Sequence, residues 1–293
     1  MTLKNLPAAP EASPRAGMHC DLSPKALDAW NPGLYAADDS SDNTISIYDP
    51  IGFDFWGDGV TAKRIAGALR AIGDNDVVVN INSPGGDVFE GLAIYNLLRE
   101  HKGKVTVKVM GLAASAASFI AMAADEIQIG RAAFFMVHNA WVMAMGNRND
   151  LREIADWLEP FDQTIADIYA TRTGLSTEEV TSALDEETWI GGREAVDKGW
   201  ADSLLSSDSV QENANAHKDS KVAARKMDVA MAKAGVPRSE RRALMQAYKS
   251  DTPSAVDTGM PGATDNEADT ANAYAAFQKA VATLTQTPEN TNV

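Results

Sequence analysis

The sequence predicts an α/β protein built on a largely parallel sheet, and three observations carry that expectation. Short β-branched runs alternate with helix-length stretches of about three turns from Ile45 onward. The run V-V-V-N-I-N (Val77 to Asn82) is apolar almost throughout, as a buried strand is. Two of the strand-like runs end in small residues directly before a helix, S-P-G-G in one case and G-L-A-A-S-A in the other.

The elements follow in order. Residues 1–43 are rich in Pro, Ala, Ser and Asp and read as a mobile arm, with a short helical turn near Pro24 to Trp30. T-I-S-I-Y alternates as a strand from Thr44, and F-D-F-W-G-D-G reads as a strand ending in a turn. Thr61 to Ala71 sets Ala62, Ile65, Ala66 and Leu69 at helical spacing. After the buried strand and S-P-G-G, Val88 to Glu100 is again helix-like, with Leu92, Ala93, Asn96 and Leu97 on neighbouring turns. V-T-V-K-V is a strand, Met110 to Ala124 a turn plus helix, and E-I-Q-I-G and A-F-F-M-V-H two further strands. A long helix spans about Asn149 to Thr173, with Pro160 starting or kinking a segment inside it.

Beyond Leu205 the composition changes to a polar linker and two helix-like stretches. Lys221 to Lys249 is locally basic and broken around Gly235-Val236-Pro237. Asp269 to Leu284 places Tyr274, Phe277, Val281 and Leu284 at spacings of three and four. That stripe fits first a helix docked on the chain's own core, and second an assembly or scaffold helix that binds a partner. The expected division is an N-terminal arm (1–43), a core domain (44–205), and a linker with a helical, partly disordered tail (206–293).

Composition narrows the function classes. The 293 residues with 45% hydrophobic content suffice for one substantial core plus a smaller appendage. A net charge of −15 argues against a nucleic-acid partner, since phosphate recognition needs a concentrated basic surface. No run approaches the roughly 20 apolar residues of a membrane span, and the first residues lack a signal-peptide apolar core, so a cytoplasmic protein without a membrane partner is expected. Cys20 alone makes no internal disulfide, and four scattered histidines form no metal cluster, so no metal is expected.

The chemistry-bearing residues sit at the strand-to-helix junctions. Paired glycines in Ser83 to Gly86 allow a backbone to approach a ligand and free N–H groups to face a negative oxygen; a plain tight turn fits the same residues. No G-K-S/T follows, which excludes a Walker phosphate loop. Ser115 and Ser118 follow the next strand, where a hydroxyl can be a nucleophile or simply allow close packing. Serine hydrolysis needs an imidazole to take the hydroxyl proton and a carboxylate to fix the imidazole tautomer. His138 at the end of A-F-F-M-V supplies the first, or serves a structural role. Asp185, Glu186 and Glu187 in D-E-E-T-W offer the second, or form a solvated turn. Spacing alone seats none of the three.

The blocks V-V-V-N-I-N-S-P-G-G-D-V-F-E-G-L-A-I-Y-N-L-L, V-M-G-L-A-A-S-A-A-S-F-I-A-M-A-A and F-F-M-V-H-N-A closely resemble the ClpP family, the proteolytic subunits of the Clp protease. The resemblance continues through Y-A-T-R-T-G-L-S-T-E-E-V and W-I-G-G-R-E-A-V-D-K-G-W-A-D and covers about Ile45 to Leu205. It implies a ClpP/crotonase-like spiral of βαβ units, a serine endopeptidase needing no cofactor, and a homo-oligomeric ring assembled through the long helix. By the same resemblance Ser115, not Ser118, is the nucleophile and His138 the general base. Gly86, with Gly85 as the alternative, and the backbone N–H of Ala116 form the oxyanion hole. Glu187 stands where the family carries aspartate, and Asp185 remains the alternative acid. Ala116 replaces the family's common methionine at a position that acts through its backbone.

The arm, the D-E-E-T-W region and the acidic tail further resemble the ClpP-related head-maturation (prohead) proteases of tailed bacteriophages. That resemblance implies cleavage of scaffold and major capsid proteins during procapsid assembly, in the host cytoplasm or the procapsid interior. Portal and other head proteins are further candidate partners, and the tail is a candidate scaffold segment removed by self-cleavage. The alternatives are an ATP-dependent Clp protease proteolytic subunit fed by an unfoldase, and an inactive crotonase-like scaffold module.

Overall fold

A computed structural model describes residues 22–36, 41–52, 59–142, 144–206 and 210–212, with Met227, Met231, Val236, Glu240, Arg241, Ala243, Leu244 and Met245 beyond them. In chain order, Pro24–Ala29 (α1) and Leu34–Ala36 (β1) precede Thr44–Ile47 (β2), Ala62–Ile72 (α2), Val77–Ser83 (β3) and Val88–Arg99 (α3). Val105–Ala114 (β4), Ala116–Ala121 (α4), Glu126–Ile129 (β5) and Phe134–Val137 (β6) follow. Arg148–Thr173 (α5), Thr177–Asp185 (α6), Thr188–Gly191 (β7), Gly192–Asp197 (α7), Ser203–Leu204 (β8) and Val210–Glu212 (β9) complete the set.

The expected α/β fold with a parallel-dominated sheet is what forms. Strands β2, β3, β4, β5 and β8 lie side by side in that order, each pair parallel. Val77, Val79, Ile81, Val105, Val107, Val109, Ile127 and Ile129 are buried in one core with apolar residues of α2, α3, α4 and α5. Burying such β-branched residues is the dominant favourable contribution, at about 25 cal/mol per Å² of apolar surface. Several helices start where their sequences cap them. Thr61 accepts from the Arg64 N–H, Asp87 from those of Phe89 and Glu90, and Asn147 and Ser176 each complete a capping box.

Strand β4 changes neighbours along its length, and this places the candidate site. Thr106–Val109 pair with β5, whereas Leu112–Ala114 pair in parallel with Phe134–Met136 of β6. Between those stretches β3 advances from Ile81 to Ser83 while β4 advances from Val109 to Ala113, so β4 holds extra residues there and bends. The sequence reading took Met110 onward as a turn. The strand instead continues to Ala114, because β6 supplies its end with a second ladder partner.

The short helical turn expected near Pro24 to Trp30 forms as α1, and the described part of the arm packs on the core. Residues 24–36 form α1 and β1, and Ala26 and Trp30 are buried against Leu112, Ala114 and Met136. Asn82 secures this docking: its Nδ2 donates to the carbonyls of Asn31 and Leu34 at 2.7 and 3.2 Å, and its Oδ1 accepts from the Leu112 N–H. The Trp30 Nε1 donates to the Asn82 carbonyl at 2.8 Å. Composition hid the docking because its partners lie about fifty positions away. β1 then pairs antiparallel with β9.

The expected long helix forms as α5, with Pro160 inside it. Its buried residues, Phe161, Ile165, Ala166, Ile168 and Tyr169, all follow the proline, while the half before it is largely exposed. F-D-F-W-G-D falls on Phe53 to Asp58, and the stripe from Tyr274 to Leu284 lies further on; both are outside the described residues, as is most of Lys221 to Lys249. Within that last stretch Met231 and Met245 are buried together, with Met227 and Val236 against them. Among the described residues no helix is long and apolar enough to cross a membrane.

Replacing Asn82 with Ala takes a donor from the carbonyls of Asn31 and Leu34 and the side-chain acceptor from the Leu112 N–H beneath α1. Asn82→Ala is expected to lower stability by about 2–4 kcal/mol in urea denaturation.

Candidate active site

The branch of β4 brings a serine and a histidine together. Ala114 pairs with Met136, so the residues just beyond these two strand ends emerge side by side, and the Ser115 N–H donates to the Met136 carbonyl at 2.8 Å. His138 Nε2 lies 2.8 Å from Ser115 Oγ. Ser115 adopts φ 51°, ψ −121°, an uncommon backbone for a residue with a side chain, at the turn from β4 into α4. This sharp turn projects the hydroxyl out of the strand toward the imidazole.

The glycine loop faces the same point. Ile51 pairs with Gly86 in a bridge that uses the Gly85 carbonyl and the Asp87 N–H, so the Gly86 N–H lies on the opposite side of the chain. Gly86 has φ +148°, and a Cβ there would sit 2.1 Å from the Ile51 carbonyl oxygen. The Gly85 N–H is already directed to Ser83 Oγ at 3.3 Å. A Cβ on Gly85 would meet the Ala114 oxygen at 2.5 Å and the Ser115 Cβ at 2.7 Å, so both positions require glycine for close approach. Ala116 opens α4, where a helix N–H has no partner four residues back. Gly86, Ser115, Ala116 and His138 line one cleft, whose apolar wall includes Val88, Phe119 and Ile165.

The acids separate by partner. Asp185 Oδ1 accepts from Asn139 Nδ2 at 2.6 Å and is thereby engaged by the residue after the histidine. Glu187, at φ 50°, carries the charge that acts on the imidazole, raising the His138 pKa against the larger lowering by burial. Burial wins, and His138 titrates below its ordinary 6.5. Glu187 Oε1 also lies 2.9 Å from Lys25 Nζ of α1, an ion pair without hydrogen-bond alignment. Among the described residues no hydrogen bond joins Glu187 to the imidazole, so its influence there is electrostatic.

Sequence reasoning passed over several neighbours of this site. Asp162 on α5 accepts from the Ala140 N–H at 2.6 Å, and desolvation raises its carboxyl to about 6, aided by the charge of Asp185. Asp162 and Asp185 thus hold the two residues that follow His138. Lys25 lies far from Glu187 in sequence, and nothing in linear spacing points to it or to Asp162. Only the adjacency of Asn139 and Ala140 to His138 was a usable signal.

A serine and an imidazole in hydrogen-bond contact at neighbouring strand ends, with a glycine loop opposite, are the arrangement that serine hydrolysis needs. The family model of the Clp protease matches residues 58–208, and the chain belongs to that peptidase family. It is similar to the ATP-dependent Clp protease proteolytic subunit 1 of Chlamydia abortus, 31% identical over 165 residues, covering 52% of this chain and 84% of that protein. The proteolytic subunit 3 of Streptomyces coelicolor is 31% identical over 162 residues, 51% of this chain and 72% of its own. The proteolytic subunit 1 of Prochlorococcus marinus (strain MIT 9312) is 30% identical over 151 residues, 50% and 77% respectively.

Because the folded-state pKa of Asp162 is raised, its ionisation opposes folding. The penalty is absent below the unfolded value of 3.8, grows with pH, and is complete above about 6. Asp162→Asn keeps the acceptor for Ala140 and removes the charge. It is expected to stabilise the protein by about 1–2 kcal/mol at pH 7.5, after allowance for solvent at this half-buried group, and not at pH 3.5. Thermal melts at the two pH values measure the difference.

Proposed function

We propose that the chain is a serine endopeptidase of the ClpP type in which Ser115 is the nucleophile and His138 its general base. The observation that carries this is the 2.8 Å contact between His138 Nε2 and Ser115 Oγ on a strained turn facing the glycine loop. His138, neutral because burial depresses its pKa, takes the hydroxyl proton as Oγ bonds to a peptide carbonyl carbon. The carbonyl electrons move to oxygen, and the N–H groups of Gly86 and Ala116 donate to it. Gly86 takes this role ahead of Gly85, whose N–H is turned to Ser83. The imidazolium returns its proton to the leaving amine, the C–N bond breaks, and water releases the acyl-enzyme by the same steps. Glu187 stabilises the imidazolium by its charge, while Asp185 holds Asn139.

Two biological settings fit such a peptidase. The relatives named above are ATP-dependent Clp proteolytic subunits, which supports a ring of identical subunits that receives its substrates from an ATPase partner. The head-maturation reading, with scaffold and capsid proteins as substrates, rests on the resemblance of the arm, acid region and tail. The relatives favour the first. Intact mass of candidate substrates separates the two: trimming of capsid and scaffold proteins without ATP supports maturation, and degradation only with an unfoldase and ATP supports the Clp subunit.

The lowered His138 pKa puts the acidic limb of kcat/KM below pH 6.5. Glu187→Gln removes the charge that raises that pKa, so the limb is expected to move further down while kcat falls by roughly 10²–10⁴-fold. A limb well above 6.5 would contradict His138 as the base. Ser115→Ala is expected to abolish fluorophosphonate labelling and to lower peptide hydrolysis by at least roughly 10⁴-fold. Retained hydrolysis in a clean preparation would remove Ser115 from the mechanism.

A further inference from the structure

We propose that Tyr169 and Ser118 are positioning residues for the oxyanion-binding peptide, forming a buried hydroxyl chain from α5 to the carbonyl of Ser115. The proposal rests on the reading of Ser115 as nucleophile and Ala116 as oxyanion donor. Ser118 Oγ lies 2.5 Å from the Ser115 carbonyl oxygen and 2.6 Å from Tyr169 Oη. A carbonyl has no proton to give, so the Ser118 hydroxyl must donate to it. That uses the only proton Ser118 has, and the Tyr169 hydroxyl therefore donates to Ser118 Oγ. The direction of the whole chain follows from its last acceptor.

The consequence lies in the peptide between Ser115 and Ala116. This unit is planar and trans, so its N–H points opposite to its C=O. Whatever holds the Ser115 oxygen in place also aims the Ala116 N–H. The oxygen accepts both the Ser118 N–H at 2.9 Å and the Ser118 hydroxyl, while the N–H end of the same unit faces the cleft. Ser115 sits at φ 51°, where a non-glycine residue stays only if its surroundings hold it.

The chain is anchored well enough to do so. Ser118 is fully buried and Tyr169 is 1% exposed, so neither hydroxyl has water as a ready substitute. The Tyr169 ring packs on Trp200 with centroids 5.1 Å apart, which limits its movement. Burial raises the Tyr169 pKa further above its ordinary 10, keeping the phenol protonated and able to donate. Long helix and nucleophile turn are thereby joined by two hydrogen bonds, with Tyr169 also lining the cleft.

Tyr169→Phe and Ser118→Ala, made in the full chain, test the proposal on a fluorogenic peptide and on a peptide boronate that mimics the tetrahedral intermediate. Each is expected to lower kcat about tenfold with KM changed less than about twofold, and to weaken boronate binding by a similar factor, as misaiming a single oxyanion donor should. The double variant is expected to match the worse single one, because both act on one chain. Ser118→Thr, which keeps the hydroxyl, should restore most of the rate. Unchanged kcat in both single variants, or losses that multiply in the double, would overturn the proposal even if the melting temperature falls. If wild type hydrolyses peptides and labels at Ser115 while the variants equal it, only this inference fails. If wild type neither hydrolyses nor labels, the peptidase reading fails with it.

Discussion

The hydrogen bond from the Ser115 N–H to the Met136 carbonyl, 2.8 Å long, ties the end of β4 to β6 and sets the separation of serine and histidine. It exists because β4 leaves β5 partway along and continues beside a different strand. Without that change of neighbour Ser115 would follow an ordinary strand end, and His138 would have no reason to lie next to it. The extra residues of β4 near Met110 and Gly111 produce the bend, and α1 with Trp30 covers the face it exposes. The N-terminal segment is therefore part of the support of the site.

Desolvation acts on the charged groups around this turn with opposite results. It pushes the His138 pKa down, toward the neutral form a base requires, and the Asp162 pKa up, so that the carboxylate present at neutral pH costs stability. Two carboxylates, Asp162 and Asp185, converge on the short stretch after His138 although the charge of Asp185 disfavours that of Asp162. A fold selected only for stability gains little from such a pair. Held in place by α5 and α6, they fix Asn139 and Ala140 and thereby the path on which the histidine sits.

The acid illustrates why a chain order of serine, histidine and carboxylate is an incomplete description. Asp185 and Glu187 are two residues apart, yet one lies at the end of α6 and the other in the turn before β7. Their carboxylates consequently meet different partners: Asn139 for Asp185, and Lys25 together with the field at the imidazole for Glu187. Glu187 acts on His138 through space rather than by a direct hydrogen bond.

Much of this was legible in the sequence. Buried β-branched runs such as Val77 to Ser83 and helices with their caps are local properties, decided by side-chain shape and by which neighbours a few residues away can satisfy the backbone. The motif residues Ser115, His138 and Gly86 could be named because each stands at the end of a local element in a recognisable block. Local pattern could not show that β4 runs on to Ala114, or that residues 24–36 are docked. Nor could it separate Asp185 from Glu187, or find Lys25, Asp162 and the link from Tyr169 to Ser118. Those outcomes depend on contacts between positions tens to more than a hundred residues apart, and such contacts exist only after the sheet has closed around its core. The sequence by itself determined which elements form and which residues carry reactive groups; only the tertiary structure decided which of those groups meet, because distance through space is not encoded in distance along the chain.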